Sequence, residues 1–413
     1  MAPNRSACSP ANSATATEPM RLKPGAHSFT AYLAALIAVG PLSTDMYLPS
    51  LPSIERDFGA TTGETQLTLS AFLIGMACSQ LVYGPLADRF GRKPVLLGGF
   101  ALYIVASLGA AFAADIDQLI ALRLAQAMGG GASVVLARAV VRDLYSNEDA
   151  AQMLARMSAA MGAALALAPM LGGVVQAALG WHSIFIFLGA AGAVLALITL
   201  VGLAETLPPA FRQSVAPVAI LGHYRRLLSN PVYLRYLIIA CLGMAGMFSY
   251  ISGASFVLQK VYGFSPIGFG ASFALIVGGY IGGTLLAGKL SKEVGLERTL
   301  KLGAAAAGTG GALAVAALAI DGTGYLLVGA MMVYGVSVGL TMPQAIAGAL
   351  TPFPEIAGTA SALFGFLQST ASAIAGVIVG HTLGETGWPM AAMIALMGLG
   401  AASIAWIPRR GRA

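Results

Sequence analysis

Few residues in this chain could do chemistry, and Asp45 is the first of them. It lies in LAALIAVGPLSTDMYLPSLP, which starts at Leu33 and is otherwise apolar. A carboxylate near the middle of a membrane helix costs about 3 kcal/mol, so it needs a partner or a task. Arg123 is the second, in ALRLAQAMGGGAS, with Gln126 one turn later. Asp45 lies about five residues, and Arg123 about seven, from the ends of their apolar stretches. At 1.5 Å per residue these depths agree to within ~3 Å, so an ion pair is within reach. Any motion that changed their separation or solvent access would load or release a proton. Two plainer roles stay open: Asp45 as a cap for the turn at Pro49 and Pro52, and Arg123 snorkelling to the head groups.

The elements that must position these residues follow from composition. The chain has 413 residues, 57% hydrophobic and 10% charged, where an ordinary soluble domain is roughly 25% charged. Apolar runs of about 20 residues, each enough to cross ~30 Å of hydrocarbon, recur from near Ser28 to near Ile407. Twelve are expected, the first over 28–50, which makes an all-α membrane protein with both termini on one side. Of 23 Lys and Arg, Arg56 and Lys260 fall on the opposite side and Arg123 within a span; the rest lie on the side of the termini. The positive-inside bias makes that side cytoplasmic. It also accounts for the net charge of +6 without a nucleic-acid partner.

The polar stretch 205–230, with Pro208, Pro209, Pro217 and the basic cluster from His223 to Arg226, divides the spans six and six. The expected organisation is a cytoplasmic tail (1–27), a six-helix bundle (28–204), a linker (205–230), a second bundle (231–408) and a basic tail (409–413). Self-similarity supports a duplicated half. GPLADRFGRKPVLL from Gly84 aligns with GKLSKEVGLERTLK from Gly288, and Gly180-Trp181 with Gly387-Trp388. Cys8, Cys78 and Cys241 offer neither a disulfide framework nor a metal site. His27, His182, His223 and His381 are scattered, and HExxH and Walker patterns are missing, so neither an enzyme nor an ATPase is expected. No metal or cofactor is expected. A passive channel is the remaining alternative to a gradient-driven transporter.

The loop Gly84, Leu86, Asp88, Arg89, Gly91, Arg92, Lys93 resembles, position by position, the signature loop of the major facilitator superfamily. The resemblance implies two pseudo-symmetric six-helix bundles, with Asp88 locking their cytoplasmic ends together in the outward-facing state. The second copy has Lys292 in place of the Asp, so one latch is complete. Arg123 and Gln126 resemble the family's fourth-span signature Arg-x-x-Gln-Gly, with Ala127 for the Gly. Pro169, Gly172 and Gly173 in LALAPMLGGVVQ resemble the antiporter signature Gly-Pro-x-x-Gly-Gly, with Ala168 for the first Gly, which implies export by exchange. GPLSTDMYLPSLP and PFPEIAGTASALFGFLQ are similar to the bicyclomycin/chloramphenicol-resistance (Bcr/CflA-like) subgroup of drug/proton antiporters. That resemblance implies proton coupling through Asp45 and Arg123. Ile37 stands where some relatives have a second acid, which points to neutral or zwitterionic amphiphiles rather than organic cations.

The expected partners are therefore a small amphiphilic substrate, protons and the lipid bilayer, and the chain is expected to act as a monomer in a bacterial inner membrane. A central cavity needs apolar and aromatic walls with a few polar groups. Tyr47, Phe72, Gln126, Tyr250, Phe273, Tyr334, Phe364 and Gln368 are the candidates. Export of a metabolite such as an amino acid or peptide is the alternative to drug export. The topology is checked by replacing the native cysteines and adding one back. A membrane-impermeant maleimide on intact cells should label Thr386→Cys and leave Ser214→Cys unlabelled.

Overall fold

A helix can absorb one missing N–H, as His27–Asp45 does at Pro41, but two prolines in close succession favour its end. Pro49 cannot donate to the carbonyl of Asp45, nor Pro52 to that of Leu48. The first helix, α1 (His27–Asp45), therefore stops five residues short of the expected end at 50. A 3-10 turn, Leu48–Ser50, and the short α2 (Leu51–Phe58) complete the first crossing. Asp45 is thus the last residue of a helix rather than part of its middle.

The computed structural model describes residues 22–145, 147–207, 217–320, 322–353, 356–384 and 386–407. Expectations placed on Cys8, Pro208, Pro209, most of the first tail and the last tail lie outside them. Eleven helices among the described residues are long and apolar enough to cross a membrane. They are α1 with α2, α3 (Thr62–Phe90), α4 (Arg92–Ala111), α5 (Ile116–Leu144), α7 (Trp181–Gly202), α9 (Pro231–Phe256), α10 (Pro266–Glu293), α11 (Leu296–Ala319), α12 (Gly324–Leu350), α13 (Ala357–Thr382) and α14 (Trp388–Trp406). The twelfth crossing is α6 (Asn147–Leu179), whose described apolar part is Leu167–Leu179. The expected linker holds α8 (Pro217–Leu228).

Helix starts follow local chemistry. Thr61 and Glu64 form a reciprocal capping box at α3, and Asn230 and Ser265 cap α9 and α10 ahead of Pro231 and Pro266. These side chains take up N–H groups that have no partner within the helix. The duplicated loop is real in backbone terms: Gly91 has φ 98°, ψ 162° and Gly295 has φ 84°, ψ 163°. Such positive φ values are easy for glycine alone. The second repeat is looser. Trp181 and Trp388 each begin a helix, but Gly180 has φ 78° and Gly387 has φ −77°.

Within the first half, α3 and α4 pack on α5, and α4 on α7; α10, α11, α12 and α14 repeat the pattern in the second. Small residues let these backbones approach. A Cβ on Gly129 would stand 2.7 Å from the Gly99 carbonyl, where α5 crosses α4. The halves meet along two lines, α3 against α13 and α6 against α10. At the second line the contact is backbone on backbone. A Cβ on Gly173 would lie 2.5 Å from the carbonyl of Pro266, and one on Gly270 would lie 2.6 Å from that of Pro169. Gly172 faces the carbonyl of Met46 just past α1 with no room for a side chain.

This seam predicts a sharp contrast. Gly270→Leu has to push two halves apart and should destabilise the protein by about 1–3 kcal/mol. Gly98→Ala faces open space on an exposed helix surface, and should be neutral or stabilising by up to about 1 kcal/mol. Thermal melting of the purified protein in detergent checks both.

Candidate functional site

Arg123 is fully buried, at 0% exposure, so it does not snorkel. Its Nη1 donates to the Ser43 carbonyl at 3.0 Å and to Gln126 Oε1 at 2.5 Å. Gln126 in turn donates to Ser107 Oγ at 2.8 Å, and Tyr103 and Ser43 share a 2.7 Å hydroxyl contact. Three rings enclose the guanidinium: Phe72 at 4.3 Å, Tyr47 at 4.5 Å and Phe185 at 5.7 Å. Desolvated cation–π contacts can each contribute about 2 kcal/mol, which offsets part of the cost of burying the charge. Nε and Nη2 have no acceptor among the described residues.

Asp45 is 4% exposed and forms no hydrogen bond or ion pair among the described residues. Arg123 reaches the carbonyl two residues before it, not its carboxylate. The structure thus brings the two charges to the same end of α1 without pairing them. The cap role expected as an alternative for Asp45 finds no N–H partner either. Asp45 adjoins Met46, whose carbonyl packs on Gly172 of α6. The carboxylate therefore stands one residue from the place where α1 meets the seam between the halves.

On the side opposite the termini the halves are tied together. Ser255 Oγ donates to the Leu48 carbonyl at 2.6 Å, Gln259 Nε2 to that of Pro49 at 3.1 Å, and Ser252 Oγ to Gln66 Oε1 at 2.8 Å. Lys260 pairs with Glu55 across the same seam. On the terminus side a cavity of about 560 Å³ opens between α3, α5 and α13. Of the eight residues proposed for a substrate site, Phe364 and Gln368 line this cavity. The other six do not. Tyr47, Phe72 and Gln126 surround Arg123, Tyr250 stacks on Phe273 at 6.5 Å, and the Tyr334 hydroxyl donates to the Gly243 carbonyl. These six are buried by packing within their own halves.

The latch loop is held within its own half. Arg92 donates to Asp88 Oδ1 at 2.7 Å and to Asp143 Oδ2 at 3.0 Å. Glu205 accepts from the backbone N–H groups of Arg92 and Lys93 at 2.8 and 3.2 Å, a carboxylate at the positive end of α4. Gly84 lines the cavity, and Arg89 lies over the Phe90 ring. Asp143 and Glu205 were missed by sequence reasoning. The signal was there: both stand at the terminus-side ends of spans, level with the Asp88 loop.

This geometry agrees with what known proteins show. A family model described as Major Facilitator Superfamily matches residues 33–376. The chain belongs to the Major Facilitator Superfamily. Its relatives include the "Chloramphenicol resistance protein" of Pseudomonas aeruginosa, 32% identical, covering 84% of this chain and 83% of the relative. Another is the "Bicyclomycin resistance protein homolog" of Haemophilus influenzae, 29% identical over 88% and 91%. Among solved structures, a D-xylose-proton symporter superposes with TM-score 0.71 at 16% identity, covering 93% of this chain and 98% of that one. That likeness confirms the fold. As a facilitator-superfamily protein, this chain is a multi-pass membrane transporter, not an enzyme.

The rings around Arg123 separate two variants. Tyr47→Phe keeps the ring and loses the hydroxyl contact to Thr68 at 2.6 Å, a loss of about 1 kcal/mol. Tyr47→Ala also uncovers the guanidinium and should cost about 3–5 kcal/mol. Reversible unfolding in mixed micelles measures both; equal losses would mean that the ring does not support Arg123.

Proposed function

We propose that this chain is a proton-driven exporter of small amphiphilic antibiotics resembling chloramphenicol and bicyclomycin. The observation that carries the reading is a buried carboxylate, Asp45, with no partner among the described residues. It stands one residue from the seam between two halves that are tied by polar bonds on one side and part around the Phe364 cavity on the other. The names of the relatives supply the substrate class. The terminus side is read as cytoplasmic, from the distribution of Lys and Arg, and the protein works as a monomer in a bacterial inner membrane.

In this reading the structure is the state that takes up substrate from the cytoplasm, through the cavity lined by Phe364 and Gln368. Rocking about the Gly172–Gly173 crossing separates the Leu48–Ser255 and Glu55–Lys260 contacts and opens the far side. That motion changes solvent access at Asp45 and its distance from the free nitrogens of Arg123. A proton is taken up at Asp45 from the far side while that side is open and the carboxylate is apart from Arg123. It is released on the terminus side when substrate uptake there brings the two together, so that a proton enters as substrate leaves. Asp88 leaves Arg92 in the other state and closes the terminus side.

The test is proton release from proteoliposomes with an imposed pH gradient. Chloramphenicol should evoke it in the wild type. Asp45→Asn should reduce it at least about tenfold while binding persists. Unchanged proton flux in the variant would show that Asp45 does not couple.

A further inference from the structure

The terminus-side cavity is asymmetric along its depth. Gly131, Val134, Arg138 and Arg142 lie on one face of α5 and all line it. Eleven residues of helix cover about 16 Å, so the wall runs from an apolar inner end to a basic mouth. Met76 of α3 and Phe364 of α13 face the inner end. At the mouth stand Arg138 and Arg142, one turn apart.

Neither arginine makes a hydrogen bond or ion pair among the described residues, and both are exposed to the cavity. The acids nearby are already engaged. Asp88 and Asp143 are both held by Arg92, and Glu205 binds the first amides of α4. Like charges one turn apart destabilise a helix unless something lies between them. The start of α13 adds to the positive field. A Cβ on Gly358 would come within 3.9 Å of Arg142 Nη1, and the first turn of that helix lines the cavity through Gly358 and Thr359. Lys and Arg that merely set topology belong at the membrane rim. Arg138 instead stands a turn inside, on the wall of the cavity that holds Phe364 and Gln368.

We infer that Arg138 and Arg142 form a binding site for the anionic group of the transported amphiphile, whose apolar body lies inward against Met76, Val134 and Phe364. Two adjacent guanidinium forks suit a carboxylate, sulfonate or phosphate, each offering paired oxygens. Within the exporter's amphiphilic substrates, those with an acidic head are then preferred over neutral ones of the same body. This rests on the exporter reading, which makes the cavity the loading side.

The experiment uses the full chain in nonionic detergent free of anionic lipid, with chloramphenicol and its hemisuccinate ester as probes. The two share one body and differ by a carboxylate. Calorimetric titration should show the hemisuccinate binding about tenfold more tightly to the wild type, with the preference shrinking at about 0.5 M salt. In Arg138→Gln/Arg142→Gln the ratio should fall to within about twofold of one. Arg138→Lys/Arg142→Lys keeps both charges and should retain a preference, which guards against a folding defect. Equal affinities in the wild type, no binding of either probe, or a Gln variant that keeps the preference would overturn the site and leave the arginines as topology determinants. Proton release measured in parallel separates the two readings. Hemisuccinate preference without substrate-evoked proton release keeps the arginine site and defeats the exporter, and proton release without preference does the reverse.

Discussion

A guanidinium sealed inside an apolar bundle is the constraint on which the first half of this protein rests. Arg123 cannot reach water, so its surroundings must replace hydration. They do so with groups from several elements: the Ser43 carbonyl of α1, Phe72 of α3, Gln126 on its own helix, Phe185 of α7 and Tyr47 from the turn after α1. Ser107 of α4 joins through Gln126. One costly charge thereby fixes the relative placement of four helices and the end of the first. The same charge keeps two nitrogens without acceptors among the described residues, and this half-satisfied state is the kind of arrangement that a moving carboxylate can complete.

The second constraint is steric. The halves touch where α6 crosses α10 and the end of α1, and there the contacts are glycine against carbonyl. Surfaces without side chains can approach closely and still pivot, because few interdigitated groups have to be withdrawn. Away from this crossing, the far side is tied by a small set of polar bonds and the Glu55–Lys260 pair. Hydrogen bonds contribute about 1 kcal/mol each net, and an ion pair with an exposed lysine about 0–1 kcal/mol. A closed side held in this way is stable enough to populate and weak enough to open. Pro49 and Pro52 set the geometry of both features, since they end α1 at Asp45 and turn the chain across the seam.

The latch loop shows how the same charges serve structure in one state and remain available for another. Arg92 binds two aspartates at once, Asp88 from its own loop and Asp143 from α5, while Glu205 secures the start of α4. Asp88 is the more readily released of the two, because its side chain is 40% exposed against 17% for Asp143. Its counterpart in the second half is Lys292, so the duplicated loop retains its glycine geometry without the acid. The symmetry is therefore one of backbone, and the chemistry sits on one side of it.

Twelve apolar runs, the bias of Lys and Arg, the duplicated Gly-rich loop and the isolation of Asp45 are all one-dimensional properties. Hydrophobic length and charge placement suffice to specify a twelve-helix protein in two related halves, because every backbone group in lipid must be satisfied within its own helix. The depth of Asp45 and Arg123 was legible for the same reason, since rise per residue converts position into depth. Azimuth was not. Whether Arg123 faced lipid or core, that its first partner is a carbonyl rather than Asp45, and that Tyr334 points into its own half while Phe364 points into the cavity all depend on helix rotation. So does the alignment of Arg138 with Arg142 along one wall. Rotation is settled by which small residues allow which backbones to touch, and those contacts join positions far apart in the chain: Gly172 with Met46, Gly173 with Pro266, Gly270 with Pro169. The sequence by itself determined how many helices cross and which charges they carry; only tertiary packing decided which of those charges meet.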